Sequence, residues 1–122
     1  MKIKVTLEHN GIMPAKEHWN DAGLELYAPV DFFVGPFQRF TLWTGVMVEM
    51  PQDVVALIRS KNSQVRNKGL LTDGVIYGGY TGQIGITLIN TTRKRVDFSR
   101  GDKVAQMLIV PTVYAEIERR DK

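Results

Sequence analysis

Residues Gly74 to Gln83 read GVIYGGYTGQ, with four glycines and two tyrosines in ten positions. Glycine at that density marks a tight hairpin where backbone can come close to a flat ligand. Tyr77 and Tyr80 stand near the bend and could offer it aromatic faces. On composition alone, a glycine-tyrosine turn is ordinary. A second polar interruption is Gln106, the one polar side chain within Val104 to Val110, a strand otherwise apolar on both faces. A buried amide without hydrogen bonds costs about 1–3 kcal/mol, so Gln106 needs a partner. Other chemistries are closed off. Without cysteine there are no disulfides, thiolate metal sites or cysteine nucleophiles, and His9 and His18 lack a metal-ligand spacing.

The elements that must hold these residues are short strands. Period-two alternation runs through Lys2 to Glu8, Thr41 to Met50, Val54 to Arg59, Gln83 to Ile89 and Lys103 to Val110. Turn signals separate them at His9-Asn10-Gly11, Gly35-Pro36, Pro51-Gln52-Asp53 and Arg100-Gly101-Asp102. Ser63 to Lys68 can make one or two helical turns ended by Gly69, and no longer helix is expected. The pattern predicts an all-β sandwich or jelly roll. In Gln83 to Ile89, Ile84, Ile86 and Leu88 point one way while Gly85, Thr87 and Ile89 point the other. Strands apolar on both faces are covered on both faces. Neighbouring subunits would supply that cover in so small a chain, and a two-sheet monomer with a buried strand is the alternative.

With 122 residues, 43% hydrophobic and 24% charged, the chain is expected to form one globular domain, residues 1–122. The formal charge of +3 is mild, and Arg93-Lys94-Arg95 reads as a solvated turn, so nucleic acid is not expected as a partner. No apolar run approaches the roughly 20 residues that span a bilayer, so no membrane is expected either. The opening MKIKVTLEHN alternates like a strand and lacks the apolar centre of a signal peptide, which makes cytoplasmic residence the expectation.

Read in order, the polar punctuation forms a pattern: AGLELYA at Ala22 to Ala28, TGVMVEM at Thr44 to Met50 before Pro51, Arg59-Ser60 at a strand end, the glycine-rich stretch, and RGDKVAQMLIV at Arg100 to Val110 before Pro111. This order and spacing resemble the trimeric dUTPase (dUTP nucleotidohydrolase) family from about Lys2 to Glu118, more closely than the related dCTP deaminases. The resemblance implies a distorted jelly-roll (β-clip) subunit in a threefold homotrimer, with active sites built from more than one chain. It also implies a deoxyuridine nucleotide as ligand, split as dUTP into dUMP and pyrophosphate with Mg²⁺ carried mainly by the triphosphate. Arg59 and Ser60 match the family's phosphate-contacting pair, for which a guanidinium fork and a hydroxyl are suited. Gln106 matches a glutamine that contacts phosphate, although a purely structural bond would satisfy it equally. Tyr80 matches the tyrosine packed against deoxyribose, which leaves no room for a 2′-hydroxyl. Backbone of Gly74, Val75 and Ile76 would read uracil, and Glu25 takes the place of the aspartate that holds waters around the metal.

The chain also departs from the family. Tyr77 stands where the family carries the aspartate that meets the 3′-hydroxyl and acts as general base. A phenol, with a reference pKa of about 10, is a poor base at neutral pH, and losing a positioned base typically costs about 10²- to 10⁴-fold in rate. Gly79 occupies a second position that is often acidic. Asp73, four residues upstream, would lie about 13 Å from Tyr77 along an extended strand unless the chain folds back. Lys61 replaces a small residue after Arg-Ser, and is expected to face solvent rather than phosphate. The stretch Ala115 to Lys122 does not read as the family's glycine-rich arm, so the triphosphate is expected to be less well closed over. Two functions remain open at this stage: a Mg²⁺-dependent dUTP diphosphatase of low activity, or a catalytically impaired member that binds nucleotide or a protein partner as a regulator. A purely structural trimer is disfavoured by the site residues that survive.

Overall fold

A computed structural model describes residues 1–122. Ten strands and one helix follow one another as β1 (Lys4–Leu7), β2 (Gly23–Tyr27), β3 (Phe32–Val34), β4 (Arg39–Glu49), β5 (Val54–Arg59), α1 (Asn62–Lys68), β6 (Leu70–Leu71), β7 (Asp73–Tyr77), β8 (Gln83–Asn90), β9 (Val96–Phe98) and β10 (Lys103–Pro111). They form two four-stranded sheets, ordered β1-β4-β8-β6 and β2-β10-β5-β7, and a separate β3-β9 ribbon. All the strand pairings are antiparallel. This is the sandwich that the alternating pattern predicts.

The core lies between the two sheets. Leu42, Val46, Val48, Ile84, Ile86 and Leu88 face inward from one sheet, and Leu26, Ala56, Ile58 and Met107 are buried in the other. In β8 the inward and outward sets are those the sequence predicts: Ile84, Ile86 and Leu88 are buried, while Gly85 and Ile89 are exposed. Each alternate residue reaches the opposite face because strand side chains repeat with period two. No helix is long and apolar enough to cross a membrane.

Two local features set the site. The helix α1 ends at Gly69, whose φ of 61° is the left-handed conformation that glycine adopts without a Cβ clash. The strand β4 bends at Gly45, φ 72°, where its register with β8 slips. The Gln83 Oε1 accepts the Gly45 N–H at 2.8 Å, and Gln83 Nε2 donates to Glu8 Oε2 at 3.1 Å. Gln83 thereby pins the start of β8.

The glycine-rich stretch is not a paired hairpin, contrary to the sequence expectation. Its first arm, β7, pairs with β5, and its second arm enters β8, which pairs with β4 and β6 in the other sheet. The bend crosses from sheet to sheet and is closed by the Tyr80 N–H donating to Tyr77 O at 3.1 Å. A Cβ at Gly78 would lie 2.2 Å from the carbonyl oxygen of Pro51, so only glycine lets the bend lie against that turn. Sequence alone shows the bend. The partner of each arm is a long-range pairing, β5 for the first and β4 and β6 for the second.

Candidate functional site

The pairing registers line up four polar residues. Gln106 of β10 faces Glu25 of β2 on one side and Arg59 of β5 on the other, and Arg59 faces Asp73 of β7. Directly opposed residues in antiparallel strands project to the same side. Glu25, Gln106, Arg59 and Asp73 therefore form one polar row on the outer side of the second sheet. The following rows on that side are apolar: Leu108, Leu57 and Val75, then Val110, Val55 and Tyr77.

Each member of the polar row has a partner. The Arg59 guanidinium lies 3.7 Å from the Asp73 carboxylate, with both side chains exposed. Gln106 Nε2 donates to the Ser60 carbonyl at 3.3 Å, so the amide does find the backbone bond that its apolar strand requires. The Ser60 hydroxyl donates to Thr72 O at 3.0 Å and accepts the Thr72 N–H at 2.7 Å, tying the end of β5 to the start of β7. Beside this row, Arg59, Ser60, Asn62, Thr72 and Asp73 line a hollow of about 480 Å³.

Glu25 is the buried member of the row. Its carboxylate is 9% exposed and forms an ion pair through Oε1 with the Lys61 ammonium, which is 23% exposed. Lys61 does not face solvent, contrary to the sequence expectation. As the residue preceding α1, it has extended backbone, φ −74° and ψ 137°, and its side chain finds the only carboxylate buried in this part of the sheet. The second oxygen, Glu25 Oε2, is buried without a hydrogen-bond partner. No group of three His, Cys, Asp or Glu side chains lies together anywhere in the chain. That donor set does not hold a metal by itself. The one buried carboxylate of the row is already paired with Lys61, so a Mg²⁺ here would be held by the phosphate chain that carries it.

The two phenolic rings are at the other end of β7. Tyr77 is 70% exposed and Tyr80 is 44% exposed, so neither is part of the core. With Val75 and Ile76 they line one wall of a slot of about 330 Å³, whose other wall is Thr41, Trp43, Gly85 and Thr87. Of the three residues expected to read a base through backbone, Val75 and Ile76 line the slot. Gly74 does not: it packs over Ile58, where a Cβ would be 3.6 Å away. As the outermost strand of its sheet, β7 has one row of amide and carbonyl groups with no strand partner. Tyr80 is held by its hydroxyl donating to Gln83 O at 2.8 Å, and a Cβ on Gly82 would meet that hydroxyl at 2.4 Å.

Trp43, Thr41 and Thr87 were not singled out by sequence reasoning. Trp43 faces Gly85 across the β4–β8 pair, and a Cβ on Gly85 would lie 2.7 Å from the indole. The outward alternation of β4 was a usable signal for Trp43, but only the register shows that it borders the slot. Asp73 lies at the opposite end of the extended, β5-paired β7 from Tyr77, so it does not fold back to serve the phenol's position.

Fold and row together define a two-sheet β-sandwich with a polar strand-end row and a separate aromatic slot. The dUTPase family model matches residues 9–122, and the chain belongs to that family. Among its relatives, the deoxyuridine 5′-triphosphate nucleotidohydrolase of Clostridium tetani is 37% identical over 121 residues, covering 97% of this chain and 83% of that protein. The enzyme of the same name from Gloeothece citriformis is 36% identical over 125 residues, covering 99% and 86%. The dUTPase from phage phi11 of S. aureus shares the fold with a TM-score of 0.90 at 23% identity, covering 100% of this chain and 97% of that one. A mutant of that phage enzyme, described with a coordinated structural Mg(II) ion, matches at a TM-score of 0.91 and 23% identity, covering 100% and 98%.

Proposed function

We propose that this chain binds deoxyuridine nucleotides and hydrolyses Mg²⁺-bound dUTP to dUMP and pyrophosphate, as a cytoplasmic homotrimer of a single domain, residues 1–122. The observation that carries the reading is the row Glu25–Gln106–Arg59 on the sheet whose edge strand also walls the aromatic slot. Family membership and the names of the relatives agree with it.

The base would enter the slot and pair with the unpartnered edge of β7 at Val75 and Ile76, where backbone offers both donors and acceptors. Tyr80, fixed by its bond to Gln83 O, would pack against the sugar and exclude a 2′-hydroxyl by bulk. Arg59 would exchange its exposed, weakly held Asp73 partner for phosphate oxygens, to which a guanidinium forks well. The Gln106 amide and Ser60 hydroxyl would follow, provided they leave their present backbone partners. The Mg²⁺ arriving with the triphosphate would neutralise charge on its oxygens. The apolar rows around Leu57, Val75 and Leu108 would meet a neighbouring copy, so that slot and phosphate row of one site come from different chains.

The step left poorly served is deprotonation of the attacking water. At Tyr77 a phenol can donate a hydrogen bond to that water, where a carboxylate would take its proton. This observation favours a second reading, a nucleotide-binding member with strongly reduced turnover that serves as a regulator, with nucleotide or a protein partner as its target. Pyrophosphate release from dUTP, UTP and dCTP with Mg²⁺ separates the readings. Selective release from dUTP supports the enzyme, whereas dUTP binding at a buffer-level rate supports the regulator.

A further inference from the structure

We propose that Lys61 is a built-in cation for the nucleotide's phosphate chain, and that it makes triphosphate binding by this chain largely independent of Mg²⁺. The inference rests on the reading of the row beside Arg59 as the phosphate end of a deoxyuridine-nucleotide site.

The position of Lys61 is fixed by backbone. Its carbonyl accepts the amides of Gln64 and Val65 at 3.0 and 3.1 Å, which anchors its Cα at the start of α1. From there the side chain reaches the buried Glu25 carboxylate, a neighbour of Gln106, which in turn neighbours Arg59. The ammonium is thus paired with Glu25, which is one strand from Gln106 and two from Arg59 in the same row. An ammonium has three donors and accepts nothing, and Glu25 Oε1 takes one, which leaves two for phosphate oxygens. Lysine is well suited to such contact as a compact point charge.

The same pair weakens the case for a divalent ion at this place. A carboxylate attracts a hydrated cation through its charge, and the charge of Glu25 is already matched by Lys61 at contact. A doubly charged ion approaching Glu25 Oε2 would also meet the ammonium's repulsion in a half-buried setting, where screening is weak. The absence of any cluster of three acidic or histidine side chains means no other part of the chain makes up the deficit. Lys61 then supplies locally part of the charge that Mg²⁺ supplies on the nucleotide.

Calorimetric titration of the full chain with α,β-imido-dUTP, in Mg²⁺ and in EDTA, tests this. Loss of a charge-assisted contact costs about tenfold or more in affinity. The native chain should therefore lose less than about threefold on Mg²⁺ removal, and Lys61→Met about tenfold or more. Because Lys61→Met strands Glu25 buried and unpaired, the double variant Lys61→Met, Glu25→Gln is titrated beside it and should show the same steep metal dependence. Lys61→Arg should resemble the native chain. Tenfold or greater loss by the native chain in EDTA overturns the inference, as does unchanged metal dependence in both Lys61→Met variants. Deoxyuridine binding, which needs no phosphate contact, is measured in parallel. If it persists while the triphosphate result goes against Lys61, the nucleotide reading stands and only this inference fails; if no deoxyuridine compound binds, both fail.

Discussion

Arg59 and Asp73 face each other across β5 and β7, guanidinium to carboxylate at 3.7 Å, where the proposed function requires Arg59 to take phosphate. Both side chains are exposed, and such pairs contribute about 0–1 kcal/mol. Asp73→Asn should leave thermal stability nearly unchanged. It should also tighten triphosphate binding by a few fold, about 1 kcal/mol at most, because the guanidinium no longer has a competing anion. Calorimetry with the imido analogue beside a melting curve checks it, and weaker binding by the variant would show that Asp73 holds Arg59 in place for its ligand.

Tyr77 stands in solvent at the end of β7 with the slot beside it. Tyr77→Asp should raise the rate of dUTP hydrolysis, up to the roughly 10²- to 10⁴-fold that a positioned base contributes. Single-turnover kinetics with saturating Mg²⁺ and dUTP read the step directly. A rate unchanged or lowered by the substitution would mean that another group already takes the proton.

Gly82 leaves room for the Tyr80 hydroxyl, which a Cβ would approach to 2.4 Å. Gly82→Ala should therefore push the ring off its bond to Gln83 O and erode discrimination between dUMP and UMP. Competition titration of the two nucleotides measures this. Retained discrimination would remove Tyr80 from the sugar filter.

Ser60 holds Thr72 by both of its hydroxyl's hydrogen-bonding roles. Ser60→Ala should cost about 1–3 kcal/mol of stability, because it leaves a half-buried amide and carbonyl without their partner. Urea unfolding with an unchanged slope would register it as a fall in midpoint.

Much of the sandwich was legible in the sequence because β8 alternates and β4, β5 and β10 are β-branched or aliphatic runs bounded by turn signals. The strand at Val54–Arg59 and the helix stop at Gly69 fall where the residue pattern puts them. The brief strands β2, β3, β6 and β9 escaped, since segments of two to five residues have too few periods to stand out from turns. Arg59 and Gln106 face each other across β5 and β10, a register the sequence does not show, and the partner of Lys61 was hidden as well. Glu25 lies 36 residues away and is brought within reach only by the pairing of β2 and β5 on either side of β10. The far wall of the slot, Trp43 over Gly85, was hidden for the same reason: the register between two strands is a long-range outcome.

The most direct measurement is a crystal structure of the chain with α,β-imido-dUTP and Mg²⁺ bound. A threefold assembly is expected, in which uracil lies against Val75 and Ile76 with Tyr80 on the sugar, and the phosphates reach Arg59 and Gln106 of a neighbouring copy. A base bound away from the edge of β7, or phosphates that leave Arg59 on Asp73, would contradict it.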